Sequence, residues 1–191
     1  IIMQWGFPLH FLLIFNLLLM FDSDEELYFS YFLEELLSIG VILSYEHNPE
    51  PFVLTKGFNK EYQKILKKST KILTQKVIGK KIYTTDFKIV WNPDKDISII
   101  AQDIDDTILK ITCPFLYKKE KQSDDTIQLI SYVETKGIFD RNNMTRLFQQ
   151  NKAWLFDKYQ IYINLIKLPS FFEETFTPQK YLFTKIKKDT R

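Results

Sequence analysis

The sequence predicts an α+β fold: N-terminal helices followed by an antiparallel β-meander with packed helices. Three observations predict it. Residues 1–43 are dense in Leu, Phe and Ile at helix-compatible spacing, with acidic capping residues between two runs. From residue 81 to 135 the pattern becomes short Ile-, Thr-, Tyr- and Phe-rich segments between Asp- and Asn-rich turns. Near Asp140 a helix-start signal returns, and segregated helical and strand regions are the mark of the α+β class. With 191 residues the chain is long enough for one domain with a real core, plus an appendage. The expected organisation is an apolar N-terminal helix or membrane-contacting segment (1–21), a helical region (22–80) and an α+β domain with an antiparallel sheet (81–191).

Residues 1–21 carry no formal charge, and residues 11–21 are almost wholly apolar. A spanning helix needs about 20 apolar residues, whereas runs of about 10–14 are more often buried core helices. Pro8, His10 and Asn16 leave this segment between the two, so membrane contact and core burial both stay open. Asp22, Ser23, Asp24, Glu25 and Glu26 then supply capping oxygens for a second helix, expected to run to about Leu43. Its Glu34 and Glu35 argue against a second span, because charge in hydrocarbon is costly. The stretch 46–51, with Asn48, Pro49 and Pro51, reads as a connector.

A third helix is expected from an Asn59 cap to Gly79, with Tyr62, Ile65, Leu66, Ile72, Leu73 and Val77 as its apolar stripe. Its other face would carry Lys60, Lys64, Lys67, Lys68, Lys71 and Lys76, relieved only by Glu61. Such a face would attract anionic lipid, RNA or an acidic protein, but a solvated surface in a lysine-rich chain is the favoured reading. Strands are expected over 82–91, 97–102, 107–117 and 126–135, with Pro114 placing its strand at an edge or bulge. A helix opened by residues 140–143 should carry Met144, Leu147, Phe148, Trp154 and Leu155, and residues 159–168 and 181–186 read as two more strands. Their lysines and tyrosines have base-stacking chemistry, but an aromatic core face backed by a lysine face describes them better.

Charge is close to balanced, with 26 basic and 24 acidic residues, which argues against a basic nucleic-acid arm, an acidic tail and a disordered segment. One cysteine, Cys113, excludes an internal disulfide and a cysteine-built zinc site. His10 and His47 lack ligand-spaced partners, and no glycine-rich phosphate loop occurs. No cofactor or metal is therefore expected. Within chemically similar pairs the usage is skewed: 23 Ile against 5 Val, and 23 Lys against 3 Arg. Arg forms the bidentate fork for phosphate, so function alone does not select Lys so uniformly. An A/T-rich genome explains the skew, and the opening Ile1-Ile2-Met3 suits an organelle that initiates at codons read as Ile, although truncation or processing gives the same opening.

The sharpest short motif is Asp103-Ile104-Asp105-Asp106-Thr107, following the apolar residues 97–101. Over about ten residues it resembles the first motif of haloacid-dehalogenase-like phosphatases, D-x-D-x-T after a buried strand. That resemblance implies Asp103 as phosphoryl acceptor, Asp105 as acid/base and Mg²⁺ as helper. A near copy, Asp124-Asp125-Thr126-Ile127, recurs downstream, and the pair reads better as Asp-rich turns feeding Thr-Ile strands. The sequence thus favours a non-catalytic accessory subunit of a large organelle-encoded mitochondrial membrane complex, such as a respiratory complex or the ATP synthase. Its partners would be neighbouring subunits and inner-membrane lipid. The alternative is a structural protein of the mitochondrial ribosome touching rRNA and neighbouring proteins, placed in the matrix. A Mg²⁺-dependent phosphatase is a remote third.

Overall fold

A computed structural model describes residues 21–67, 69–106, 113–137 and 144–189. Residues 1–20 of the expected apolar N-terminal segment 1–21, the segment 107–112 and the helix-opening residues 140–143 lie outside them. Among the described residues no helix is long and apolar enough to cross a membrane.

Helix α1 (Asp24–Ser38) begins where the acidic cluster predicts. Ser23 is extended and its Oγ accepts from Glu26 N at 3.2 Å, a cap worth about 1 kcal/mol. It ends five residues before the expected Leu43. Gly40 sits at φ +72°, Gly40 N–H donates to Leu37 O and Val41 N–H to Leu36 O, the paired bonds of a glycine-terminated helix. The chain then turns into strand β1 (Ile42–His47).

The expected helix over 59–79 is a correction. After β2 (Phe52–Thr55) come two long strands, β3 (Phe58–Leu66) and β4 (Ser69–Ile78), and then β5 (Lys81–Tyr83). β3 and β4 pair antiparallel from Asn59↔Lys76 to Leu66↔Ser69, and β2 pairs with β5. Of the 22–80 region only α1 is helical. Thr70, Ile72, Thr74, Val77 and Ile78 are β-branched, stiff in a helix and at ease in a strand. The apolar positions that fitted a helical stripe fit a two-stranded ribbon as well.

The main sheet is six-stranded, in the order β1–β6 (Phe87–Trp91)–β9 (Ile127–Lys136)–β8 (Phe115–Lys121)–β7 (Ala101–Asp103), with β10 (Ile163–Lys167) also on β9. It is mostly antiparallel but not a meander, because β1 and β6 are joined across the β2–β5 excursion, and β7–β8 and β9–β10 are parallel. The expected strand 82–91 is split at Thr84–Asp86, and β8 starts immediately after Pro114, at the place where a missing N–H costs no ladder bond. β8 and β10 share one edge of β9: β8 covers 127–130 and β10 covers 132–136. Where one gives way to the other, Asn164 Oδ1 accepts from Leu116 N at 2.8 Å. Its Nδ2 donates to Leu116 O at 2.9 Å and Tyr132 O at 3.0 Å.

β9 is buried on both faces. On one side Phe87, Ile89, Trp91, Phe115 and Val133 meet Phe29, Phe32, Leu33 and Leu36 of α1, together with Phe171 and Phe172 of the short α3 (Ser170–Glu174). Phe29–Phe87 and Phe32–Phe171 approach edge-on at 5.2 and 5.0 Å. Each such buried ring contributes about 1.5–3 kcal/mol by transfer from water. Trp91 Nε1 is satisfied by Ser131 Oγ at 2.8 Å. Residues 181–186, expected as a strand, fall in helix α4 (Gln179–Asp189), which starts just after Pro178, a residue suited to a helix entrance. It is tied to α1 by the Lys180–Glu34 ion pair and by Gln179 N donating to Glu35 Oε1 at 2.6 Å. On the opposite side of the sheet, Ile130, Tyr132 and Ile163 pack with Phe148 and Leu155 of α2 (Met144–Tyr159) and with Leu54 of β2.

Candidate functional site

The feature that sets this molecule apart is the arm made by β2–β5. Its root is fastened to the domain. Leu54 is buried with Phe52 and Tyr83 against it, and Val53 O accepts from Tyr159 Oη at 2.9 Å and Lys158 Nζ at 2.5 Å. Lys81 Nζ stands 4.3 Å from the centre of the Trp154 ring. Beyond the root, every described residue of β3 and β4 is exposed except Leu73, which is half-buried. Nine residues of β3 extend about 30 Å at strand rise. The hinge between root and ribbon is Gly57, at φ +80°, a conformation that glycine adopts without strain.

Charge is segregated onto this arm. Residues 56–81 hold nine lysines and one glutamate, while the whole chain carries a net charge of +2. The remainder is therefore net acidic, and near-neutral composition conceals a strongly polar molecule. Cross-strand partners share a face, and faces alternate along each strand. The register thus places Lys60 with Gln75, Tyr62 with Leu73, Lys64 with Lys71 and Leu66 with Ser69 on one face. The other face has Asn59 with Lys76, Glu61 with Thr74, Gln63 with Ile72 and Ile65 with Thr70. Of the six lysines assigned from sequence, Lys60, Lys64 and Lys71 come together, Lys76 lies on the reverse face, Lys67 is in the closing turn and Lys68 is outside the described residues. Tyr62, read from sequence as part of a buried stripe, belongs instead between Lys60 and Lys64. The alternation Lys-x-Tyr-x-Lys is the signal that reveals it. Among the described residues no carboxylate lies within ion-pair distance of Lys60, Lys64 or Lys71.

His10 lies outside the described residues; Asp103, Asp124, Cys113 and His47 are engaged within the fold. Asp103 is 4% exposed at the end of β7. Its Oδ1 accepts from Asp105 N at 3.0 Å and its Oδ2 pairs with Lys119 Nζ at 2.5 Å. Asp124 Oδ1 accepts from Thr126 N and Oγ1 at 3.1 and 2.6 Å, and Asp125 sits at φ +66°. These are Asx-type turns, the second being the β8–β9 hairpin. Cys113 Sγ donates to Ser98 O at 2.9 Å. His47 Nε2 meets Glu26 Oε2 at 2.8 Å beneath Phe21 and Phe87. Tyr159 and Lys158 hold the arm's root, and Tyr181 packs on Tyr28 and Phe172.

A buried polar cluster lies behind the root. Tyr83 Oη donates to Glu134 Oε2 at 2.6 Å, and Lys136 Nζ pairs with Glu134 Oε1 at 2.8 Å. Asp86 Oδ2 accepts from Thr135 N at 2.7 Å and Thr135 Oγ1 at 2.8 Å. Burial first, and the Glu134 charge second, push the Asp86 carboxyl up to about 6. Burial and the same glutamate raise the Tyr83 phenol. Among the described residues no group of three or more His, Cys, Asp or Glu side chains is arranged to hold a metal ion. Comparison with protein families, with curated proteins and with solved structures gave no match.

Proposed function

We propose that the chain is a non-catalytic structural subunit of a large organellar assembly, and that this assembly is a ribonucleoprotein, the mitochondrial ribosome, with the lysine arm laid on rRNA. The observation that carries the reading is charge segregation: residues 56–81 hold nine lysines against one glutamate, and six of those lysines fall in the stretch 58–78 that makes the exposed ribbon. An exposed two-stranded ribbon is marginal in water by itself. A partner that neutralises its charge supplies the missing stabilisation. Phosphate backbones do this by releasing counterions, without any need for arginine forks. The net-acidic domain then faces neighbouring proteins, and the isoleucine and lysine excess supports an organelle gene.

The membrane-complex expectation rests on the uncharged segment 1–21, of which 1–20 lie outside the described residues, together with the aromatic content and the organelle-like coding, and the ribbon favours the ribosomal reading over it. The test is sedimentation of detergent-solubilised, salt-washed organelles. The chain should travel with a ribosomal subunit and leave it after ribonuclease treatment. Migration with an RNA-free inner-membrane complex would overturn the reading.

A further inference from the structure

We infer that the arm face bearing Lys60, Tyr62, Lys64, Lys71 and Leu73 binds unpaired RNA, with one base stacked on the Tyr62 ring and the adjoining phosphates on the lysines. This rests on the ribosomal reading and specifies its contact. The two faces of the ribbon differ in kind. The reverse face holds the arm's one acid, Glu61, together with Ile65 and Ile72, which are 82% and 67% exposed. The Tyr62 face has no acid, and its ring, 44% exposed, lies directly across from Leu73. Leu73, half-buried, is its cross-strand neighbour on the same face.

Spacing fits a single strand. Lys60 and Lys64 lie two residues on either side of Tyr62, about 7 Å along the strand in each direction. A base on the ring thus has cationic groups before and after it along the backbone. Lys64 and Lys71 are directly opposed, an arrangement that destabilises a free ribbon and is relieved by an anion between them. Stacking requires a base splayed from its neighbours, whereas duplex RNA presents a major groove too deep and narrow for side chains. Lysines act as point charges without base-edge geometry, so binding should tolerate sequence.

The test uses the full chain and fluorescent single-stranded oligouridylate, with a blunt RNA duplex of equal length as competitor. Single strands should bind more tightly than duplex. Tyr62→Ala should weaken binding roughly 5- to 100-fold, the span of one base–aromatic stack, with the salt slope unchanged and Tyr62→Phe restoring affinity. Lys64→Gln and Lys71→Gln should each reduce the salt slope by about 0.7, and Gln63→Ala on the reverse face should change nothing. These side chains are outside the core, so an unchanged melting temperature separates lost contact from lost fold. If Tyr62→Ala binds as the parent does while the lysine variants weaken, or if duplex wins, the stacking inference falls and the arm's contact with RNA stands. If no arm variant alters binding, the ribosomal reading of the arm falls too.

Discussion

Lys64 of β3 and Lys71 of β4 stand directly across from one another on the same face of the arm. Like charges so opposed weaken a strand pair by about 0.2–1 kcal/mol. Replacing one by the opposite charge, Lys64→Glu, should therefore tighten the free ribbon, seen as slower amide exchange over residues 60–74. The same change should reduce RNA affinity. A variant that gains protection and keeps its affinity would separate the pair from any partner.

Gly57 sets the direction in which the ribbon leaves its root. At φ +80°, a Cβ there would lie 2.9 Å from Lys80 N and 3.1 Å from Ile78 O. Gly57→Ala should cost about 1–2 kcal/mol for the left-handed backbone alone, and the backbone contacts add to that. The damage should stay local. Trypsin should cut the arm at its lysines several-fold faster, while the core keeps its melting temperature to within a few degrees.

Asn164 closes a gap in the ladder where β8 hands the edge of β9 to β10. Asn164→Leu keeps the volume and leaves Leu116 N–H and Tyr132 O without that partner, while Leu116 O retains Ser131 Oγ at 2.9 Å. Urea denaturation should report a loss of about 2–4 kcal/mol. A loss below about 1 kcal/mol would mean the sheet closes without the amide.

Asp86 makes stability depend on pH in a defined sense. Its folded carboxyl titrates at about 6, above the roughly 3.9 of an unfolded chain. The folded state therefore holds a proton that the unfolded state releases between those values. This group's contribution is complete below about pH 4 and is lost, by about 3 kcal/mol, as pH rises to 6. Asp86→Asn should flatten the stability profile across that window. If the slope survives the substitution, it comes from other carboxylates.

The parts of this fold that could be read in advance are those with a local chemical cause. Ser23 capping α1, the Asp124–Thr126 turn and the helix carrying Phe148 and Leu155 each follow from nearest neighbours in the chain. The ribbon is ambiguous in sequence because Tyr62, Ile65, Ile72 and Leu73 satisfy two periods at once. In solvent no buried face decides between them, so the β-branched content of β4 was the better guide. Gly40 is the local stop signal for α1, masked by the apolar residues that continue beyond it into β1. Helix α4 was hidden by its aromatic and lysine content, which suits a strand equally well. The lysines are legible in the sequence, but their grouping depends on the β3–β4 register and on nothing within either strand alone. The order of the main sheet, with β9 at its centre, is set by contacts distant in sequence and left no local trace.

Contact between the Tyr62 face and RNA in the native assembly is the proposal most open to direct observation. Ultraviolet irradiation of intact organelles, followed by tryptic digestion and mass spectrometry, tests it without altering the protein. A nucleotide adduct is expected on the peptide 61–64, carried by Tyr62. Adducts confined to other parts of the chain, or a chain recovered without any nucleotide adduct beside heavily crosslinked ribosomal proteins, would contradict it.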